Sequence, residues 1–467
     1  MSTALASRRD RPPGPRWRTV SLLRYVRDPL AFYQRLGRRY GPLFQLPLPP
    51  GRGPRSLIVT GEPEGARDIF SAPLSAFGEA FGSEILADVV GAGSILLHSG
   101  ERHRRERKLL SPHFHGARVR AYGDRILETS EEILQRLWRP GARLPAVEAA
   151  QRIAAEVILR AIFGLRGREE IDHYDRMLRA GSDAASPLFV FLPVIRREFG
   201  GFGPWVKFVR LRDRVDELLV ERIERARREG GDDILARALA TGYSDGTPVE
   251  AAEMKDELRT LLVAGHETTA NALAWTIYEL HRHPEVLVRL RDELDALGPT
   301  PSPDELADQP YLEAVIHESL RLHPAIPDVV RQVKPGFCLR GYELAEGEGV
   351  AVSIPLVHAD PALYPEPERF RPERFLERRF GPHEFVSFGG GHRRCLGAAF
   401  AMFEAKIVLG TMLARYELEL VGDAPVRTVR RGIVLAPEAG IPIRVKGQRI
   451  ARSAVAAHAV AQAAGGS

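Results

Sequence analysis

Hydrophobic and polar positions follow two different periods along this chain. Over roughly the first hundred residues, short β-like runs such as PLFQLPL and SLIVTG are interleaved with helical stretches such as LAFYQRLGRRYG and EGARDIFS. Helical periodicity dominates from about 100 to 330. From about 330 to 375 short β-like runs and proline-rich turns return in FCLRGYEL, VAVSIPLV and YPEPERFRPERF. A helix follows Cys395, and hairpin-like segments close the pattern around RRGIVLAPEAGIPIRV. This predicts a mainly α fold with small β subregions (α+β) and no internal repeat.

The segment from Val249 to about Arg282 reads as one helix, roughly 50 Å long, ended by Pro284. Its middle, LLVAGHETTANALAW, is apolar on nearly all sides and is therefore expected to be buried. Gly265, Glu267, Thr268 and Thr269 in that setting do not fit simple core packing. GHETT matches the first half of a zinc-binding H-E-x-x-H, but Ala270 stands where the second histidine belongs. A hydroxyl beside an acid remains. Thr268 can bond back to a helical carbonyl, and Gly265 is expected to let the helix open locally into a notch where the pair delivers protons.

Composition narrows the class. The 467 residues show no interior Ser/Gly/Pro linker, which favours one large domain over residues 28–446, with 1–27 as an extension and the Ala-rich 447–467 as a tail. The formal charge is +5, with 66 basic and 61 acidic residues interspersed, which gives no case for nucleic acid. Two cysteines, Cys338 and Cys395, cannot build a disulfide framework and fit a reducing compartment, so a cytoplasmic protein is expected. No apolar run is long enough to span a bilayer and no signal core is present, so a soluble protein without a membrane anchor is expected.

Four motifs carry candidate chemistry. In YLEAVIHESLRLHP, Glu318 and Arg321 lie at i, i+3; taken alone, such a pair is an ordinary surface salt bridge. In GERHRRERKLLSPHF, His103 and Arg107 share one helical face amid other basic residues, and the default reading is a solvated basic face. EPERFRPERF holds two Pro-Glu-Arg-Phe turns and by itself is a loop. FGGGHRRCLG places Cys395 after glycines and arginines and just before an apolar helix. The helix dipole and neighbouring cations are expected to favour the thiolate. One thiolate suits haem better than zinc or an iron–sulfur cluster, which need several protein ligands.

Together these residues resemble the cytochrome P-450 superfamily of haem-thiolate monooxygenases, in particular soluble bacterial members. FGGGHRRCLG fits F-G-x-G-x-[HR]-x-C-x-G, AGHETT fits the oxygen-binding helix motif, ESLR fits E-x-x-R and RPERF the following P-E-R-F, in that order. The resemblance implies a triangular-prism-like domain with haem b between the long central helix and the cysteine-bearing helix. Cys395 would be the axial iron ligand, with Phe388 and Gly397 at the cofactor. His103, Arg107, Arg331 and Arg393 match positions that bind the haem propionates. Glu318, Arg321 and Arg374 match a buried structural triad, and Glu267 and Thr268 the catalytic acid–alcohol pair.

His103 departs from the tryptophan many members carry. By family topology the pocket walls come from Leu261, Ala264, Val329, Val330, Val434 and Leu435, with the segment Phe77 to Ser94, the stretch SPLFVFLPVI and the neighbourhood of Asp328. The implied activity is O2-dependent hydroxylation or epoxidation of a hydrophobic small molecule, fatty-acyl or terpenoid/polyketide-like, by a monomer. Electrons would come from NAD(P)H through a ferredoxin or flavodoxin with its reductase, docked near Arg104, Arg105 and Lys108. The rivals are a peroxygenase or isomerase of the same fold and a non-catalytic haem protein that binds a ligand.

Overall fold

The computed structural model describes residues 11–48, 54–78, 83–184, 189, 196, 202–346 and 348–449. Two helices lead in, α1 (Arg18–Arg27) and α2 (Pro29–Tyr40). The Asp28 carboxylate accepts the Ala31 N–H at 3.0 Å and Pro29 fills the first helical position, so the break between the two is written locally. The helices that position the site are α3 (Gly100–Leu110), α4 (Ala146–Ala161), α5 (Ala251–Arg282), α6 (Pro310–Leu322) and α7 (Ala398–Arg415).

Helix α5 matches the expected central helix, starting two residues later than the pattern suggests. Pro284 both ends it and opens the next helix, Pro284–Asp295. It packs along α4, whose buried Ala149, Ala150, Ala154 and Ala155 permit close approach. A Cβ on Gly265 would sit 2.9 Å from Ile158 Cδ1. The glycine therefore leaves room for the Ile158 side chain at the α4–α5 contact. The helix runs without interruption through Gly265, so the expected local opening is absent.

The largest sheet is mixed. Strands β1 (Leu43–Pro47), β2 (Ser56–Thr60), β3 (Asp328–Gln332) and β4 (Gly349–Ser353) lie in the order β1-β2-β4-β3, with β2 and β4 parallel and the other pairs antiparallel. Both central strands are buried along their whole length, which accounts for their apolar centres LIV and VAV. A hairpin of β5 (Thr428–Arg431) and β6 (Val434–Pro437) is joined to the segment before β3 by a Leu435 N–H bond to the Ala325 carbonyl at 2.8 Å.

Residues 11–27 are part of this body. Gln45 N–H donates to the Pro13 carbonyl at 2.9 Å, and the Tyr25 hydroxyl donates to Asp328 Oδ2 at 2.8 Å, joined there by Tyr33 at 2.7 Å. Asp328 is thus a strand residue committed to two tyrosines, and its burial pushes the carboxyl pKa up. Among the described residues no helix is long and apolar enough to cross a membrane.

Candidate active site

The loop before Cys395 is shaped by glycines pressed against Phe70. A Cβ on Gly390 would lie 2.2 Å from the Phe70 ring, and one on Gly391, whose φ is +65°, would lie 2.2 Å from the Phe70 carbonyl oxygen. Cys395 N–H closes the loop on the Phe388 carbonyl at 2.9 Å. Gly397 caps α7, and its N–H is directed at the Cys395 sulfur. Apart from its own chain neighbours, no protein atom lies within 4 Å of where a Gly397 side chain would begin.

The helix end and cations expected to favour a thiolate are present, but they are opposed. Cys395 is exposed on the loop, yet the protein packed around it pushes its thiol up, while the Gly397 N–H, Arg394 and Arg107 pull the other way. The helix proper starts only at Ala398, which weakens the dipole at the sulfur. A metal cation bound to the sulfur reverses the balance, because a coordinating thiol is deprotonated outright.

Behind the loop, Glu318, Arg321 and Arg374 are all buried, so the surface-bridge reading of the E-x-x-R pair does not hold. Arg321 grips Glu318 with two donors at 2.7 and 2.8 Å, and Arg374 Nε reaches the same carboxylate at 3.0 Å. The Arg371 N–H adds a fourth bond at 2.8 Å. Further guanidinium protons of the two arginines go to the carbonyls of His358, Pro365, Pro367 and Arg369. The proline-rich turns are thereby tied to α6.

His358, which the sequence reading passed over, links this triad to the cysteine loop. Val386 N–H donates to its Nε2 at 3.0 Å, which leaves Nδ1–H to donate to the Arg321 carbonyl at 3.2 Å. Burial and the adjacent Arg321 hold its pKa down at about 3. Ser387 adds a bond to the Leu320 carbonyl at 3.1 Å. The only sequence signal was a histidine within an apolar run ahead of the Pro-rich turns, VSIPLVHADP.

On the other side of the loop, cations gather. His103 is buried rather than solvated, and its pKa is lowered to about 3 by burial and by Arg393, Arg107, Arg331 and His392. Arg331 is lowered to about 9 by burial and by Arg393, and Arg393 to about 10 by burial and Arg107. Arg393 is also a strut: it donates to the carbonyls of Leu96 (2.6 Å) and His98 (2.7 Å). The strap carrying those carbonyls is held to α5 by Gly93 N–H on Asp256 and Ile95 N–H on Glu257, and to α3 by His98 on Glu106.

On α5, Leu261, Ala264 and Thr268 fall on one side at spacings of three and four. Ala264 is exposed, Leu261, Glu267 and Thr268 are half-buried, and the Thr268 hydroxyl donates to the Ala264 carbonyl at 2.7 Å. Val329 looks toward the cysteine loop, 3.6 Å from where a Gly389 side chain would begin. Val330 does not share that wall. Strand alternation turns it to the opposite face, against the cluster of Phe32, Tyr33 and Phe44. Val434 and Leu435 are buried in the β5–β6 hairpin, and Asp328 is withdrawn into its tyrosine pair. The stretch SPLFVFLPVI lies outside the described residues apart from Phe189.

One thiol and several converging cations form an unbalanced donor set. A planar macrocycle that brings its own iron and carries two carboxylates fits it, because the sulfur would be free to ligate the metal and the cations to receive the acids. The family model for cytochrome P450 matches residues 11–443. A protein of Mycobacterium tuberculosis (strain ATCC 25618 / H37Rv), provisionally named cytochrome P450 135A1, is 33% identical over 447 residues, covering 94% of this chain and 96% of the relative. A Mycobacterium bovis protein provisionally named cytochrome P450 138 is 34% identical, covering 87% and 89%. The fold matches the cytochrome P450DA haem domain with a TM-score of 0.82 at 25% identity, covering 94% and 98%. It also matches retinoic acid-bound cyanobacterial CYP120A1 with a TM-score of 0.78 at 24% identity, covering 89% and 94%. With its cysteine loop, buried charge triad and matching relatives, this chain belongs to the cytochrome P450 family of haem-dependent monooxygenases.

Proposed function

We propose that Cys395 is the axial ligand of haem b and that the chain oxidises a hydrophobic small molecule, fatty-acyl or terpenoid/polyketide-like, in the space between α5 and the cysteine loop. The observation that carries this is the meeting of one loop-held sulfur with His103, Arg107, Arg331 and Arg393. These four would receive the propionates, Arg393 also bracing the strap. Phe388 and Gly397 would flank the macrocycle, and residues 28–446 would form the haem domain together with the packed segment 11–27.

Bound haem supplies oxygen activation at an iron made electron-rich by its thiolate ligand. The chain controls protons around it. Thr268 Oγ1 spends its hydrogen on the Ala264 carbonyl at rest, and rotation about its χ1 would turn that donor into the pocket. Glu267, next in sequence and half-buried, would restore the proton from the solvent side. Leu261, Ala264 and Val329 offer aliphatic contact to the substrate and keep water out.

Electrons would reach the site from NAD(P)H through a ferredoxin or flavodoxin and its reductase. Lys108 and Arg104 are exposed on α3 for such an acidic partner, while Arg105 is stacked 3.7 Å over Tyr243. The test is titration of the haem-loaded enzyme with fatty acids and terpenoids, followed by turnover with surrogate partners. A spin-state shift with NAD(P)H-dependent hydroxylated product supports the reading. If none of the panel moves the spectrum, the proposed substrate class is wrong.

A further inference from the structure

The positive charge of this chain is concentrated at one place. Residues 11–40 hold eight arginines against a single acid, Asp28, a net +7 in a chain whose total is +5, which leaves −2 for all the rest. Helix α1 stands at the centre of that segment. Its inner side is spent on the fold through buried Ser21 and half-buried Tyr25 and Val26. Its outer side carries Trp17, Val20 and Leu23, which are 76%, 42% and 59% exposed.

Arg16, Arg24 and Arg27 are exposed among these apolar side chains. Positions 17, 20, 24 and 27 are spaced by three and four, so the aromatic, aliphatic and guanidinium groups share one helical face. The basic surface continues on α2 through exposed Arg35, Arg38 and Arg39, and onto strand β5, which packs beside α1 and exposes Arg431. No acidic residue interrupts α1.

We propose that α1 is a peripheral docking surface for an anionic lipid bilayer. The helix would lie in the headgroup plane with Trp17, Val20 and Leu23 inserted and the arginines on lipid phosphates. This is the composition of an interfacial helix: an apolar aromatic face flanked by cations, too short to span. An acidic protein would use the arginines but gives no reason for an exposed tryptophan and leucine between them. Anionic lipid uses both, because tryptophan favours the interface and each guanidinium gains from the surface potential. The proposal is independent of the substrate reading above.

The test is flotation of the full, haem-loaded chain with vesicles of phosphatidylglycerol and phosphatidylcholine, against phosphatidylcholine alone. Binding to the anionic vesicles alone, weakened by salt, is expected, with quenching of Trp17 by brominated lipid that is lost in Trp17→Phe. Arg24→Gln and Arg27→Gln should each weaken binding about fivefold. Trp17→Ser with Leu23→Ser should abolish it while leaving the haem spectrum unchanged, which shows that the variant is folded. Absence of binding at low salt, equal binding to both vesicles, or indifference to these substitutions overturns the proposal. So does capture of the chain by a soluble acidic polypeptide with no lipid quenching, which would assign the face to an acidic protein.

Discussion

Thr268 and His358 each hold a proton on a backbone carbonyl. Thr268 rests on the Ala264 carbonyl, and Thr268→Ala removes its hydroxyl. The variant should still bind haem and consume NAD(P)H but release peroxide in place of product; full coupling of NAD(P)H to product would exclude Thr268 from proton delivery. His358 is held neutral between the Arg321 carbonyl and the Val386 N–H. The unfolded chain protonates it near 6.5, the folded one only near 3. Its depressed pKa therefore contributes stability above about 6.5 that is lost as pH falls toward about 3, at up to about 1.4 kcal/mol per pH unit. Denaturant titrations across that window should show a shallower acid dependence in His358→Gln, and an unchanged slope would contradict the assignment.

At the level of elements, the cysteine loop is positioned by two contacts that a sequence read locally could not reveal. FGGGHRRCLG announces a ligand loop, but that Gly390 is pressed on Phe70 depends on residues more than three hundred positions apart. Gly390→Ala should lower haem retention, and shortening the obstacle with Phe70→Leu should recover part of it; strict additivity of the two changes would mean that the contact is irrelevant. The triad was legible as a motif through E-x-x-R and P-E-R-F, whereas its burial was not, because i, i+3 spacing looks the same on a surface helix. Glu318→Ala strands Arg321 and Arg374 in the interior and should cost about 3–5 kcal/mol, measured by chemical denaturation. A loss under about 1 kcal/mol would return the pair to the ordinary surface class.

For the whole molecule, the two periodicities in the sequence were enough to anticipate a long central helix and minor sheets. They could not say that Gly265 serves the α4–α5 contact, nor that Asp328 turns to Tyr25 and Tyr33, since both depend on partners brought near only by the fold. Val330 was misplaced for a related reason: adjacent strand residues point to opposite faces, so Val329 and Val330 cannot line one wall. What joins distant parts of the molecule is the site where α3, β3 and the cysteine loop meet around one sulfur and several cations. The most direct measurement is the absorption spectrum of the reduced, carbon monoxide-treated holoprotein, compared with Cys395→Ala. A strongly red-shifted Soret band that vanishes in the variant is the predicted result. A histidine-like band in the wild type, or a thiolate band that survives in Cys395→Ala, would contradict the account.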